Sequence, residues 1–230
     1  MKKYLLYSLE NQYCKQFIWV LTLGDKANIT FVKSLINFNL SFEYKIIFQK
    51  SLKQFVKNIT KNCDILITTR IDYDDMIYYD AVNDARKAIN YNKPMILYGY
   101  NRGVYYFEKE NKYYEFYKTY NNNGASSQFC SLILVLNKVN DSYTINDMGS
   151  HTDIRKNLLK KYKSFGIKSL NYEPAIFDKG DVKFVYVRQE FSVFYNKSIK
   201  IKSQLQLYIE GILIIFLFVK KKHIFWLDIK

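Results

Sequence analysis

Asp64-Ile-Leu-Ile-Thr-Thr-Arg70-Ile-Asp72-Tyr-Asp74-Asp75 is the stretch on which the reading of the fold turns. The run from Ile65 to Thr69 is apolar and β-branched, the pattern of a buried strand. Arg70, Asp72, Asp74 and Asp75 follow it directly. A helical period then begins, with Ile77, Ala81, Ala85, Ala88 and Ile89 on one stripe, which predicts a helix over 77–91. The segment reads strand, acidic turn, helix. In open α/β sheets ligands bind beyond the carboxyl ends of the strands, where these carboxylates fall. Carboxylates so close repel one another, and a divalent cation among them offsets the repulsion. Mg²⁺ or Mn²⁺ suits such oxygen ligands and commonly holds substrate phosphates as well. The same aspartates also fit the start of the following helix, where capping and the helix dipole favour them. Both readings stay open at this point.

Upstream, residues 3–15 predict a short helix, 17–23 a buried strand closed by Gly24-Asp25, 27–38 a helix and 44–48 a second strand. Residues 51–60 predict a helix with Ser51 as N-cap and Leu52, Phe55, Val56 and Ile59 on its apolar stripe. This βαβαβα order predicts a parallel sheet with right-handed crossovers. Asp25 then ends a strand on the same sheet edge as Asp72, as a contact to a base or ribose or as a plain turn residue.

Downstream, 95–100 and 104–107 flank Asn101-Arg-Gly103, a hairpin signal, and 113–120 is a further aromatic strand. Its alternating tyrosines suit either stacking on a sugar or packing of a sheet face. Residues 127–136 form a buried helix or strand. Gly149-Ser-His151-Thr-Asp153 precedes a predicted helix over 153–163, and 181–188 is a strand ending in Arg188, placed to face a phosphate or to pair with Glu190. Residues 205–219 are almost continuously apolar, with Lys220-Lys-Lys222 and Trp226 after them. The run is short of the ~20 residues that span a bilayer. It predicts a C-terminal tail, 199–230, that lies in the membrane interface through residues 205–227 or packs on the core as a helix.

Thr68-Thr-Arg70-Ile-Asp72-Tyr-Asp74-Asp75 resembles the R-[LI]-D-x-D-D segment of a rhamnosyltransferase family of bacterial GT-A-like glycosyltransferases. Ser8-Leu9-Glu10-Asn11-Gln12, with Phe17-Ile18-Trp19-Val20 after it, is similar to the family's opening S-L-x-x-Q-x-x-x-x-F-x-W, and Tyr186-Val187-Arg188 with Ser192 is weakly similar to its late segment. The resemblance covers about the first 190 residues. It implies a GT-A-like, Rossmann-like α/β domain over residues 1–198, mostly parallel, with helices on both faces and an antiparallel extension. It implies transfer of a sugar, rhamnose among the candidates, from a nucleotide-sugar donor to a saccharide or lipid-linked acceptor. Mn²⁺ or Mg²⁺ would be held by Asp72 and Asp74, with His151 as third ligand. Arg70, Asp75 and Arg188 would contact the donor, and Asp153 would be the catalytic base, with Asp147 as rival. Such domains open with a central strand, whereas Met1 stands in what reads as the helix after it. The expectation is therefore a sheet without its first strand or an N-terminally shortened member. The competing expectation is a non-catalytic remnant that binds saccharide or a membrane surface through its basic character.

The chain has 230 residues, 49% of them hydrophobic and 18% aromatic, enough for one sizeable core. Its net charge is +14, which fits anionic partners or simply a Lys-rich composition spread along the chain. No zinc-finger spacing, RNP-like segment or Gly-rich phosphate loop is present, so no nucleic-acid partner is expected. Cys14, Cys63 and Cys130 are distant and odd in number, which predicts buried thiols in a reducing compartment. The N-terminus lacks the apolar run of a signal peptide. The expected location is the cytoplasm, with peripheral contact at the inner membrane face.

Overall fold

Apolar runs bounded by turn residues become strands, and the amphipathic runs between them become the helices that cover the resulting sheet. The computed structural model describes residues 2–35, 39–72, 75–100, 102–117, 129–149, 154, 157–158, 175–178, 184–188 and 209–218. A π-turn, Lys2–Leu6, leads into α1 (Tyr7–Glu10), followed by β1 (Ile18–Leu23), α2 (Ile29–Leu35), β2 (Glu43–Phe48), α3 (Leu52–Ile59) and β3 (Ile65–Arg70). Then come β4 (Met76–Ile77), α4 (Ala81–Lys87), β5 (Met95–Tyr100), β6 (Arg102–Phe107), β7 (Lys112–Tyr117), β8 (Ser131–Val135), β9 (Ala175–Asp178), β10 (Phe184–Arg188) and β11 (Ile209–Phe218). The fold is mixed α/β. Seven strands form one sheet in the order β2-β1-β11-β3-β8-β5-β9, and four form a second, β4-β10-β6-β7.

The main sheet is buried on both faces. Trp19, Leu21, Leu23, Ile65 and Ile67 pack on one side against Leu9 of α1, Val32 of α2, Val82 and Ala85 of α4 and Phe184 of the second sheet. Ile18, Val20, Leu66, Leu97 and Leu132 pack on the other against Leu52, Val56 and Ile59 of α3, and against Ile145, Met148, Ile154 and Leu158. Helices therefore lie on both faces. Phe184 stacks on Phe129 with centroids 4.6 Å apart. Gly103 of β6 is what admits its ring, since a Cβ there would overlap it.

Several elements differ from the sequence reading. The sheet is mixed rather than mostly parallel: of its six neighbouring pairs, β1–β2 and β5–β9 are parallel and the other four antiparallel. β1, β2, β3 and β5 do run the same way, but β11 and β8 are wedged between them. Asn101-Arg102-Gly103 is no hairpin, because β5 and β6 belong to different sheets. The hairpin is β6–β7, turned at Asn111 with φ +49°. Ser51 stands at the N-cap of α3 without a side-chain capping bond, because a 3₁₀ turn, Gln49–Ser51, precedes it. The helix expected over 77–91 is shorter: Met76–Ile77 pairs with β10, and α4 begins at Ala81 with Asp80 at its N-cap.

The largest correction concerns the apolar run read as a tail. Ile209–Phe218 is a strand inside the main sheet, antiparallel to β1 along one edge and to β3 along the other. It is neither an interfacial helix nor a helix packed on the core. It takes a central position in that sheet, between β1 and β3. A strand flanked on both edges is apolar on both faces, and periodicity alone cannot separate that pattern from a buried helix. Among the described residues no helix is long and apolar enough to cross a membrane. The three cysteines are free. Cys63 Sγ–H donates to Ile59 O at 3.4 Å, and burial pushes its thiol up from the ordinary value.

Because β11 joins β1 to β3, its backbone carries the sheet. Ile214 sits opposite Trp19 and Thr69. Ile214→Pro removes one ladder N–H from a position paired on both sides and is expected to cost at least about 1–3 kcal/mol. Urea unfolding followed by Trp fluorescence measures this; an unchanged midpoint would show that β11 is not in the sheet.

Candidate functional site

Of the residues singled out in the sequence, Arg70, Asp72 and Asp75 lie at or just beyond the carboxyl end of β3. A strand sends alternate side chains to opposite faces, and the last residues of β3 use that alternation to grip different elements. Thr68 Oγ1 accepts from Ile145 N at 2.8 Å. Thr69 Oγ1 and Ser131 Oγ of β8 lie 2.6 Å apart. Arg70, on the same side as Thr68, donates from Nη1 to Gly149 O at 3.2 Å.

The segment that Thr68 and Arg70 reach is itself built from a local motif. Thr144-Ile-Asn-Asp147 forms a reciprocal capping box at the head of a 3₁₀ turn, Ile145–Met148. Asp147 Oδ2 accepts from Thr144 N at 2.7 Å and Thr144 Oγ1 at 2.9 Å. Asp147, the rival base candidate, is thereby engaged as a cap. Gly149 ends the turn with φ +80°, a conformation that favours glycine, and a Cβ there would lie 2.8 Å from Asn157 Nδ2. Asn157 donates in turn to Met148 O at 2.8 Å. Lys53–Asp141 (3.0 Å) and Thr60–Ser142 (3.2 Å) tie the start of this loop to α3 and the turn after it. The Lys53 ammonium holds the Asp141 carboxyl below the usual carboxylate range.

The aspartates of the motif take different parts. Asp72 is half-buried and its carbonyl accepts from Asp75 N at 3.3 Å. Asp75 is only 2% exposed, and its Oδ1 accepts from Val187 N of β10 at 3.0 Å. Neither caps a helix, since α4 starts beyond Asp80. Asp75 therefore fastens the acidic turn to the second sheet, one residue from Arg188, whose backbone lies opposite Phe107. Asp74, His151 and Asp153 lie outside the described residues. Arg70 with Gly149, and Asp75 with Val187, nevertheless bring three separately expected segments to one sheet end. Asp25 does not join them; it pairs with Lys50 at 3.3 Å.

Gln12 has a function the sequence did not disclose. It is 2% exposed. Its Nε2 donates to Ser8 O at 3.1 Å and to Tyr78 O at 2.7 Å, and its Oε1 accepts from Val82 N at 3.3 Å. It clamps the N-terminal helix onto the stretch that follows the acidic turn. The capping box was visible in principle as Thr-x-x-Asp, whereas nothing local marks the partners of Gln12.

Among the described residues no group of three or more His, Cys, Asp and Glu converges to hold a metal ion. Asp72 offers the turn a half-buried carboxylate, one oxygen-bearing group where a hard cation takes several. Asp75 fits less well, with one oxygen already taken. A small cavity borders the turn on the opposite side of β3, lined by Thr69, Ile77, Ala81, Val82, Tyr100, Phe129 and Ser131, and its size suits a water rather than a sugar. Compared with protein-family models, curated proteins and solved structures, the chain matches none.

The anchoring role of Asp75 separates charge from hydrogen bonding. Asp75→Asn keeps an acceptor for Val187 N–H and is expected to fold, whereas Asp75→Ala leaves that buried donor unpaired at a cost of about 1–3 kcal/mol. Thermal unfolding of the two variants tests this; equal losses would show that the carboxylate acts by charge rather than as an acceptor.

Proposed function

We propose that the chain is a GT-A-like glycosyltransferase that moves a sugar from a nucleoside-diphosphate donor to a saccharide or lipid-linked acceptor. The observation that carries this reading is the convergence at the end of β3. Arg70 is held by Gly149, and Asp75 holds β10, so the acidic turn is braced by both later segments in which the resemblance implies donor and catalytic residues. A turn whose only work was to begin a helix would need neither brace.

In this reading Asp72 and Asp74, with His151, would hold Mn²⁺ or Mg²⁺, which would supply positive charge beside the leaving diphosphate. Arg70 is half-buried with one guanidinium nitrogen on a neutral carbonyl, a bond that leaves its charge to attract an anionic donor. Asp75 acts by positioning, because its Oδ1 is committed to β10. Arg188, next in sequence to Val187, would be a further cationic contact for the diphosphate. Asp153 takes the proton of the acceptor hydroxyl as the new glycosidic bond forms and the nucleoside diphosphate leaves. The cavity beside Thr69 is too small for the donor, so it has no part in this reading.

A thermal-shift series with nucleoside-diphosphate sugars, with and without Mn²⁺, tests the reading. The expected result is a Mn²⁺-dependent rise in Tm with at least one donor. Asp74→Asn should abolish that rise and lower sugar transfer by about 10²-fold or more while leaving the unliganded Tm within a degree or two. Saturable donor binding that Asp74→Asn leaves untouched would remove the acidic motif from the mechanism.

A further inference from the structure

Tyr13 and Tyr79 are 70% and 41% exposed, yet their ring centroids lie 4.5 Å apart. Tyr79 in turn lies 4.0 Å from Tyr78. In a chain with 22 tyrosines, single exposed rings need no explanation. Three in contact form a patch. The patch also stands on a fixed frame. Tyr13 N donates to Tyr79 O at 2.9 Å, and the buried Gln12 holds Tyr78 O at 2.7 Å. Its rim is polar: the Asp80 carboxylate, next in sequence to Tyr79, accepts from Asn83 Nδ2 at 2.6 Å and Lys87 Nζ at 3.4 Å.

This combination suits one class of ligand. A pyranose has an apolar C–H face that packs on an aromatic ring and a belt of hydroxyls that bond to carboxylates and amides at its edge. Tyrosine supplies such contact area at low entropic cost, because its ring has few rotamers to lose. Two tyrosines at these exposures offer roughly 150–250 Å², far below the ~800 Å² per partner of a stable protein interface. The area matches one or two sugar rings.

We propose that Tyr13 and Tyr79 form a platform that binds a neutral saccharide, with Asp80 and Asn83 receiving its hydroxyls. The platform requires neither the metal nor the nucleotide. It goes beyond the transferase reading and would serve a non-catalytic saccharide-binding chain equally.

Saturation-transfer NMR on the full chain tests it, with methyl α-L-rhamnopyranoside and methyl β-D-glucopyranoside as probes. Transfer to the ring C–H protons of at least one probe is expected. It should persist in Tyr13→Phe and fall by about fivefold or more in Tyr13→Ala and Tyr79→Ala. Tyr13 is the safer variant because its side chain is mostly solvated; circular dichroism confirms that each variant is folded. Absence of transfer to both probes, or undiminished transfer in folded Tyr13→Ala, overturns the platform. So does a concentration-dependent dimer that Tyr13→Ala dissolves in the absence of transfer, which would assign the patch to a second copy of this chain. The series of nucleoside-diphosphate sugars with Mn²⁺, run on the same samples, separates the outcomes: no shift with any donor counts against the transferase and leaves the platform standing.

Discussion

Strand β3 has no free edge and no free face. β11 and β8 pair along its sides, and two apolar clusters cover it above and below. Its first five residues are buried. A strand so enclosed cannot shift by one residue without turning its whole apolar set to the wrong face. The residues that leave its carboxyl end therefore leave at fixed places. Thr68 and Arg70 are delivered to one side and Thr69 to the other, and each finds a partner that a slip would forfeit. What happens at the acidic turn follows from this enclosure.

Asp72 and Asp75, the two described carboxylates of the turn, differ in burial. Asp75 is turned inward and committed to the backbone of β10, while Asp72 is half-exposed beside it. A buried carboxylate is tolerated because a backbone N–H satisfies it; without that bond its desolvation would disfavour the turn. A second carboxylate is engaged in the same way at the 3₁₀ turn, where Asp147 accepts from Thr144 in the capping box, and Gly149 O at its end receives Arg70. Charged groups near the rim are thus spent in part on holding it rigid. Rigidity of this kind is what a site for an anionic donor would need, since binding then orders few side chains.

Much of the main sheet was legible. β1, β2, β3 and α3 lie within a residue or two of where alternation and period place them, because short apolar runs closed by Gly-Asp, Ser or a charge cluster leave little ambiguity. The failures share one cause, namely non-local pairing. Ile209–Phe218 is apolar on both faces because it has neighbours on both edges, and its own sequence cannot say whether those neighbours are strands, helices or lipid. Met76–Ile77 is a strand only because Phe184 and Val185 lie beside it. Arg102–Phe107 leaves the first sheet for the second because Gly103 accommodates a phenylalanine distant in sequence. At the site, Arg70, Asp72 and Asp75 were legible as a cluster, but the inward turn of Asp75 and the clamp made by Gln12 depend on partners more than 60 positions away.

The central claim is that the carboxyl end of β3 is the point at which a cation and a diphosphate are received. Paramagnetic line broadening of backbone amides by Mn²⁺ with a nucleoside diphosphate measures this directly. Six residues of strand separate the two ends of β3 by roughly 17 Å, enough for the two ends to respond differently. Broadening concentrated at Ile71, Asp72, Gly149 and Val187, with Ile65 and Val135 left sharp, is the expected result. Broadening spread evenly over the surface, or strongest at the Ile65 end, would contradict it.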